Sequence, residues 1–130
     1  MDALQGDIFW VDIPKSHTEG SEQHGRRPVI VMSRTGINRR LNTVVVVPMT
    51  TFSDTVASES LASQPPFRLM IPVAQTTKDV TCTSVLSLSV AKADQATVID
   101  KSRLGPKIGH LSRTATVSVG VGLANVFDIR

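Results

Sequence analysis

A run of four valines, from Val44 to Val47, carries the strongest structural signal in this sequence. Valine branches at Cβ, so a run of this kind favours an extended strand over a helix. Pro48 follows the run, and a proline has no N–H to donate to a sheet ladder. The sequence therefore predicts a strand over residues 43–49 whose ladder is interrupted at Pro48, with Thr50 and Thr51 delivered to the rim of the sheet.

Five other apolar segments have the length and the β-branched or aromatic content of strands. They are residues 6–13, 28–33, 67–73, 81–90 and 95–99. The segment at 28–33 is apolar on both faces, which predicts a central strand. No helical pattern of about 12 residues separates the segments, which excludes a parallel α/β sheet and favours a compact, strongly bent antiparallel barrel. We expect one domain, residues 1–130.

The carboxy-terminal segment differs, because its apolar residues recur at helical spacing. Val117, Val121 and Ala124, together with Leu123 and Phe127, recur at this spacing, and Ser112 is suited to cap the start of a helix. Residues 34–42 are predicted to be a polar connector.

Composition limits the class of protein. Hydrophobic residues make up 41% of the chain and charged residues 19%, which is ordinary for a globular protein and argues against disorder. No apolar run approaches the roughly 20 residues of a membrane span, and the amino terminus has no signal-type core, so we expect a cytoplasmic protein. The single cysteine, Cys82, is expected to be a buried structural thiol. The histidines and the cysteine lack metal-ligand spacing, so no metal and no cofactor are expected.

The charge distribution permits an anionic partner without requiring one. The net charge is +3, with 14 Lys and Arg against 11 acids. Basic residues recur between the apolar runs: Arg26, Arg27, Arg34, Arg39, Arg40, Arg68, Lys101 and Arg103. Aromatic residues make up only 4%, which weakens the case for base-stacking platforms of the common RNA-binding modules.

The glycine-bounded loop before the strand at 28–33 concentrates chemically useful groups. Within six residues it carries a carboxylate, an amide, an imidazole and two guanidiniums: Glu22, Gln23, His24, Arg26 and Arg27. A polar loop anchored by a rigid strand holds reactive groups still while leaving them accessible. The same composition also fits an ordinary solvated hairpin loop.

Five blocks of the sequence, in order, resemble the successive motifs of the MazF/PemK (Kid) toxins, the ribonuclease halves of bacterial type II toxin–antitoxin pairs. The blocks are residues 6–12, 20–29, 47–51, 93–95 and 100–104, and the block at 20–29 is the most specific. The resemblance implies an SH3-like, partly open antiparallel β-barrel with a carboxy-terminal α-helix, working as a homodimer. It also implies sequence-selective, metal-independent cleavage of single-stranded RNA, restrained by a cognate MazE/PemI-like antitoxin.

The resemblance assigns roles residue by residue. Arg27, directly before the strand-opening proline, matches the catalytic arginine, Thr50 matches the catalytic threonine, and Glu22 matches the loop glutamate. Lys92 and Asp94 stand where the PemK branch has an arginine and an aspartate, and a lysine offers a point charge in place of a bidentate fork. The other residues predicted to contact RNA are Gln23, His24, Arg39, Arg40 and Gln95.

These residue types suit cleavage in which the ribose 2′-hydroxyl attacks its own phosphate, since that step is intramolecular. Arg27 can hold two phosphoryl oxygens with its planar fork, and Thr50 can donate one O–H to the same oxygens. The resemblance favours Glu22 and Asp94 over His24 as the base. Which residue is the general base and which the general acid stays open.

Some features leave alternatives open. Residues 52–66, a Ser- and Pro-rich stretch predicted to be a mobile loop, and residues 74–84 are longer than in the compact members of the family, so substrate choice is not determined. Lys92 and the scarcity of aromatics also fit a non-catalytic toxin of the same architecture that poisons a protein partner such as DNA gyrase. Arg27 and Thr50 at the matching positions favour the nuclease.

Overall fold

The computed structural model describes residues 3–13, 25–51, 68–71, 80–82 and 89–128. Within these ranges the chain forms eight strands and two α-helices. In chain order they are β1 (Asp7–Ile13), β2 (Gly25–Val31), α1 (Thr35–Arg40), β3 (Thr43–Thr51), β4 (Arg68–Ile71), β5 (Val80–Cys82), β6 (Ser89–Lys92), β7 (Thr97–Asp100), β8 (Leu104–Leu111) and α2 (Arg113–Phe127). Short 3₁₀ turns at Ala93–Gln95 and Lys101–Arg103 precede β7 and β8.

The strands form one antiparallel sheet that bends into a partly open barrel. Their order is β4-β6-β3-β2-β1-β8-β5, with β7 alongside β3. Every pairing between the described strands is antiparallel. The fold is therefore the mainly β, SH3-like barrel with a carboxy-terminal helix that was expected. Neither helix in the described part of the chain is long and apolar enough to cross a membrane.

Strand β3 connects the two parts of the sheet. One of its edges pairs with β2 as far as Pro48. Its other edge pairs with β7 as far as Val46 and then with β6 from Met49, which stands opposite Ala91. A proline cannot donate to a ladder, and the ladder with β2 ends at Pro48 as predicted. The strand itself continues to Thr51, so the interruption is a change of partners and not the end of β3.

Both faces of the sheet are buried, each by its own apolar cluster. The helix-side cluster consists of Ile8, Ile30, Met32, Val47, Met49, Ala91, Ile108, Leu111, Ala115 and Val119. The cluster on the opposite face consists of Ala3, Phe9, Val11, Val29, Val31, Val44, Val46 and Ile99. Because successive residues of β1, β2 and β3 alternate between two buried faces, these strands have no polar side. This confirms the central position predicted for β2.

Residues 34–42, predicted to be a polar connector, contain helix α1 instead. Its buried residue Asn38 explains the difference, because the side-chain amide donates to the carbonyl oxygens of Ala3 (2.9 Å) and Ser33 (3.0 Å). At the carboxyl end of the helix, Lys101 Nζ donates to the Asn38 carbonyl at 2.6 Å. These partners are distant in sequence or outside the helix. The residues at 34–42 therefore carry no pattern of their own that indicates a helix.

The predicted strand segments all contain strands, but their bounds differ. Strand β2 begins at Gly25, before the proline that was expected to open it. The segment at 81–90 yields β5 and β6, which pair with different partners, β8 and β3. The segment at 95–99 begins as a 3₁₀ turn, and β7 starts only at Thr97.

Strand β8 has no counterpart among the predicted strands. It pairs with β1 through two shifts of register. Beside one of them Gly105 approaches β1 so closely that a Cβ at this position would lie 2.8 Å from the Trp10 carbonyl oxygen. Strand β8 contains glycine and proline and pairs with β1 through these irregularities. Its sequence therefore lacks a clear strand pattern, and its position is set by pairing with β1.

Helix α2 begins where Ser112 was expected to cap it. The Ser112 Oγ accepts a hydrogen bond from the Ala115 N–H at 3.1 Å, a contact that contributes about 1 kcal/mol in helices of this kind. The helix buries Ala115 and Val119 against the sheet. Of the apolar residues by which the helix was predicted, Leu123 packs against the helix-side cluster and Ala124 is half-buried. Three others are exposed in this chain, at 54%, 55% and 65%: Val117, Val121 and Phe127.

Candidate active site

Arg27 and Thr50 lie at the same end of two neighbouring strands. The last pair in the ladder between β2 and β3 is Val29 opposite Pro48. Arg27 lies two residues beyond Val29 on β2, and Thr50 lies two residues beyond Pro48 on β3. The two residues expected to act on one phosphate thus belong to the same rim of the barrel.

Arg27 is held in this position by strand β1. It stands opposite Val11 in an unbroken ladder that extends to Ile13 opposite Gly25. The Arg27 side chain is half-buried, and its Nε atom is buried. The stem of the side chain therefore lies against the protein surface, as is usual for a half-buried arginine.

Lys92, Asp94 and Gln95 approach from the other side of β3. In β6, Val90 stands opposite Thr50, and the strand ends two residues later at Lys92. Lys92 is half-buried, whereas Asp94 and Gln95 are exposed in the 3₁₀ turn that follows. Thr50 therefore lies between the strand that carries Arg27 and the strand that ends in Lys92.

Arg39 and Arg40 are exposed on α1, which is at the other end of the barrel. Helix α1 connects the end of β2 to the beginning of β3, whereas Thr50 lies near the end of β3. At about 3.3 Å per strand residue, Thr43 and Thr50 are roughly 23 Å apart. The structure does not bring these two arginines to the rim where Arg27 and Thr50 meet.

Three predicted residues, Glu22, Gln23 and His24, lie outside the described residues, and so does most of residues 52–66 and 74–84. The thiol of Cys82 is likewise outside the description. Their assigned roles stay predictions.

Two side chains at the same rim were not assigned from the sequence. Arg26 lies on the face of β2 opposite to Arg27, with its guanidinium carbon 5.0 Å from the centroid of the Trp10 ring. Arg103, just before β8, donates from Nη2 to the Asp12 carbonyl oxygen at 3.1 Å. Both arginines lie within sequence blocks that resemble the family. Their place in these blocks could have identified them as candidate site residues.

The rim offers hydrogen-bond donors and positive charge. Among the residues that the structure describes, no group of three or more His, Cys, Asp or Glu is suited to hold a metal ion. Asp100, away from Thr50, has a pKa below its ordinary value because the side chain and backbone of Ser102 donate hydrogen bonds to its carboxylate. An arginine, a threonine and a lysine on three adjacent strands supply the donors and the positive charge that a bound phosphate needs.

A small, partly open antiparallel β-barrel with a carboxy-terminal helix belongs to the class of SH3-like barrels. Residues 4–127 match the family described as the PemK-like, MazF-like toxin of type II toxin-antitoxin systems, and the chain belongs to this family. The Escherichia coli (strain K12) endoribonuclease toxin MazF is 44% identical to it over 48 residues. That match covers 37% of this chain and 41% of the E. coli protein, so it spans less than half of either.

Solved structures share the fold over nearly the whole chain. The Mycobacterium tuberculosis toxin MazF-mt6 has a TM-score of 0.68 at 20% identity, covering 95% of this chain and 98% of that one. An endoribonuclease in complex with its cognate antitoxin, from a mycobacterial species, has a TM-score of 0.67 at 19% identity, covering 99% and 96%. At these identities the likeness establishes the fold alone.

Proposed function

We propose that this chain is the toxin of a type II toxin–antitoxin pair and acts as an endoribonuclease. Its substrate is single-stranded RNA, mRNA above all, which it cuts in a sequence-selective way in the cytoplasm and so inhibits translation and growth. The observation that carries the proposal is the position of Arg27 and Thr50 at the same end of the neighbouring strands β2 and β3, next to the strand that ends in Lys92. The name of the E. coli relative, an endoribonuclease toxin, supports the same reaction.

The proposed reaction uses the substrate's own hydroxyl as the nucleophile and needs no metal. The 2′-oxygen forms a bond to the adjacent phosphorus, and the bond from phosphorus to the 5′-oxygen of the next nucleotide breaks. The products are a 2′,3′-cyclic phosphate and a 5′-hydroxyl. Because nucleophile and phosphate belong to one nucleotide, the protein has only to orient them and stabilise the charge of the phosphorane.

Each residue of the rim has a role in this scheme. Arg27 binds two phosphoryl oxygens with its planar fork, and Thr50 donates its hydroxyl to one of them. Lys92 adds a point charge that neutralises the phosphate without fixing its orientation. A guanidinium holds its proton too strongly for Arg27 to be an effective proton donor. The family resemblance favours Glu22 or Asp94 as the base.

The partners follow from the family. The mycobacterial structure is an endoribonuclease bound to its cognate antitoxin. We propose that an antitoxin of the MazE/PemI type restrains this chain as well. We also propose that the toxin is a homodimer, because apolar side chains of α2 such as Val121 are exposed in the single chain.

Incubation of the purified protein with a long RNA in excess EDTA tests the reaction. The expected result is a set of discrete fragments with cyclic phosphate and 5′-hydroxyl ends, and their mapped ends reveal the recognised bases. Arg27→Ala, purified in the same way, controls for contaminating ribonucleases and should leave the RNA intact. An intact RNA with the unaltered protein, together with inhibition of a topoisomerase, would favour the gyrase-poison alternative.

A further inference from the structure

Trp10 and Arg26 form a stacked pair on the face of β2 that is opposite to Arg27. The distance from the Arg26 guanidinium carbon to the Trp10 ring centroid is 5.0 Å, within the roughly 6 Å range of a cation–π contact. Trp10 is half-buried and packs against the helix-side cluster, whereas Arg26 is exposed. The indole therefore supports the guanidinium on the protein side, and the solvent side of the guanidinium remains accessible.

The pair rests on a rigid part of the sheet. Trp10 stands opposite Pro28 in the ladder between β1 and β2. On the other side of β1, Gly105 approaches the Trp10 carbonyl oxygen so closely that a Cβ would lie 2.8 Å from it. A surface fixed by both neighbouring strands loses little conformational freedom when a ligand binds.

A further cation lies beside the pair. Arg103 Nη2 donates to the Asp12 carbonyl oxygen at 3.1 Å, and Asp12 stands opposite Arg26 in the ladder. A guanidinium has five N–H donors, and this carbonyl accepts from one of them. Arg103 thus brings positive charge to the end of β1, next to the stacked pair.

We propose that the stacked pair of Trp10 and Arg26 is a base-binding subsite, where a base of the RNA next to the cleaved phosphate stacks on the Arg26 guanidinium. The inference rests on the proposed ribonuclease function and adds a subsite to it. Adjacent residues of a strand lie on opposite faces, so an RNA strand with one phosphate on Arg27 crosses the rim towards Arg26. Single-stranded RNA is bound in this way, by stacking on aromatic rings and guanidinium planes. Arg103 contacts the phosphate of the same nucleotide.

The test uses the full-length chain and a short single-stranded RNA that contains a mapped cut site. Arg26→Lys keeps the charge and removes the guanidinium plane, so KM should rise about 5- to 100-fold while kcat is unchanged. Arg113→Ala removes an exposed arginine from the start of α2 and is the matched control, with both constants unchanged. An RNA with an abasic site at the nucleotide next to the cut should raise the KM of the unaltered protein by a similar factor. The same RNA should raise the KM of Arg26→Lys only slightly further, because the stacking contact is already lost.

Fluorescence gives a readout independent of cleavage, because Trp10 is the one tryptophan of the chain. An oligonucleotide with a single 2′-deoxyribose at the cut site should change the Trp10 emission saturably, and an abasic site should reduce that change. An unchanged KM in Arg26→Lys, or a loss confined to kcat, would overturn the subsite. RNA left intact by the unaltered protein would overturn the proposed function, and the Trp10 titration would still decide whether a base binds here.

Discussion

Arg27 and Thr50 lie at the same end of β2 and β3, each two positions beyond Val29 and Pro48, the last pair of the ladder between these strands. Each is fixed from its outer side, Arg27 by β1 and Thr50 by β6. Pro48 lacks the N–H that would continue the ladder, so the strands end their pairing just before the two residues. The backbone of the rim is therefore held by a paired strand on each side.

Replacement of Arg27 by alanine should lower kcat by at least about 100-fold, because the guanidinium stabilises charge that develops in the transition state. Arg27→Lys should be nearly as inactive, since an ammonium lacks the planar fork. Initial rates on a defined RNA, with circular dichroism to confirm folding, measure both. An Arg26 variant as inactive in kcat as Arg27→Ala would mean that the wrong face of β2 has been assigned to the phosphate.

Thr50→Val, which removes the hydroxyl and keeps the branched shape, should lower kcat by about 100-fold, whereas Thr50→Ser should retain most of it. The double variant Arg27→Ala/Thr50→Val should show a much smaller decrease in kcat than the product of the two single decreases, because both residues act on one phosphate. A double-mutant cycle on kcat measures this coupling. Fully multiplicative losses would indicate that Thr50 and Arg27 act on different groups.

A single deoxyribose on the 5′ side of the cut phosphate should abolish cleavage and leave binding nearly unchanged. The nucleophile is then missing, whereas the phosphate contacts of Arg27 and Lys92 remain. The logarithm of the binding constant should fall with the logarithm of salt concentration by about 0.7 per phosphate neutralised. Cleavage of the substituted strand to a 5′-phosphate would identify water as the nucleophile, and the roles of Arg27 and Thr50 would need revision.

Sedimentation at micromolar concentration should give a dimer. Val117, Val121 and Phe127 are exposed along α2, and an apolar ridge of this kind is usually covered by a partner. Val121→Asp should shift the protein to monomer without loss of fold, since this side chain is 55% exposed. Val98→Asp, at an exposed position opposite Val45 on β3, tests the alternative interface at that edge. A monomeric unaltered protein would exclude any arrangement in which one RNA crosses two protomers.

Asn38→Ala should lower the free energy of unfolding by about 2 kcal/mol, because it leaves the buried carbonyl oxygens of Ala3 and Ser33 without the Asn38 donor. The cleavage rate per folded molecule should not change, since α1 is at the far end of the barrel from Arg27. Urea unfolding measures the first effect. Asn42→Ala, at an exposed asparagine just beyond α1, is the control, and equal stability of the two variants would contradict the role given to Asn38.

The strands of the barrel could be predicted from the sequence wherever a segment consists mainly of apolar residues. The valines of β3 and the run of β1 are β-branched or aromatic, so their extended state follows from the residues. The cap at Ser112 was predictable for the same reason, since its partner Ala115 lies three residues away. Helix α1 could not be predicted in this way, because its six residues depend on the contacts of Asn38 and on Lys101, which is distant in sequence. A helix of that length is marginal without tertiary contacts.

The sequence by itself determined the strand-rich character of the chain, the break at Pro48 and the chemical groups available for a phosphate, because these depend on residue type and on near neighbours. The tertiary structure alone decided which of those groups meet. The pairing of β2 with β3 brings Arg27 and Thr50 to the same end of the sheet, and the direction of β3 takes Arg39 and Arg40 to the opposite end. Register follows from two buried faces, since a slip of one residue would exchange every side chain between them.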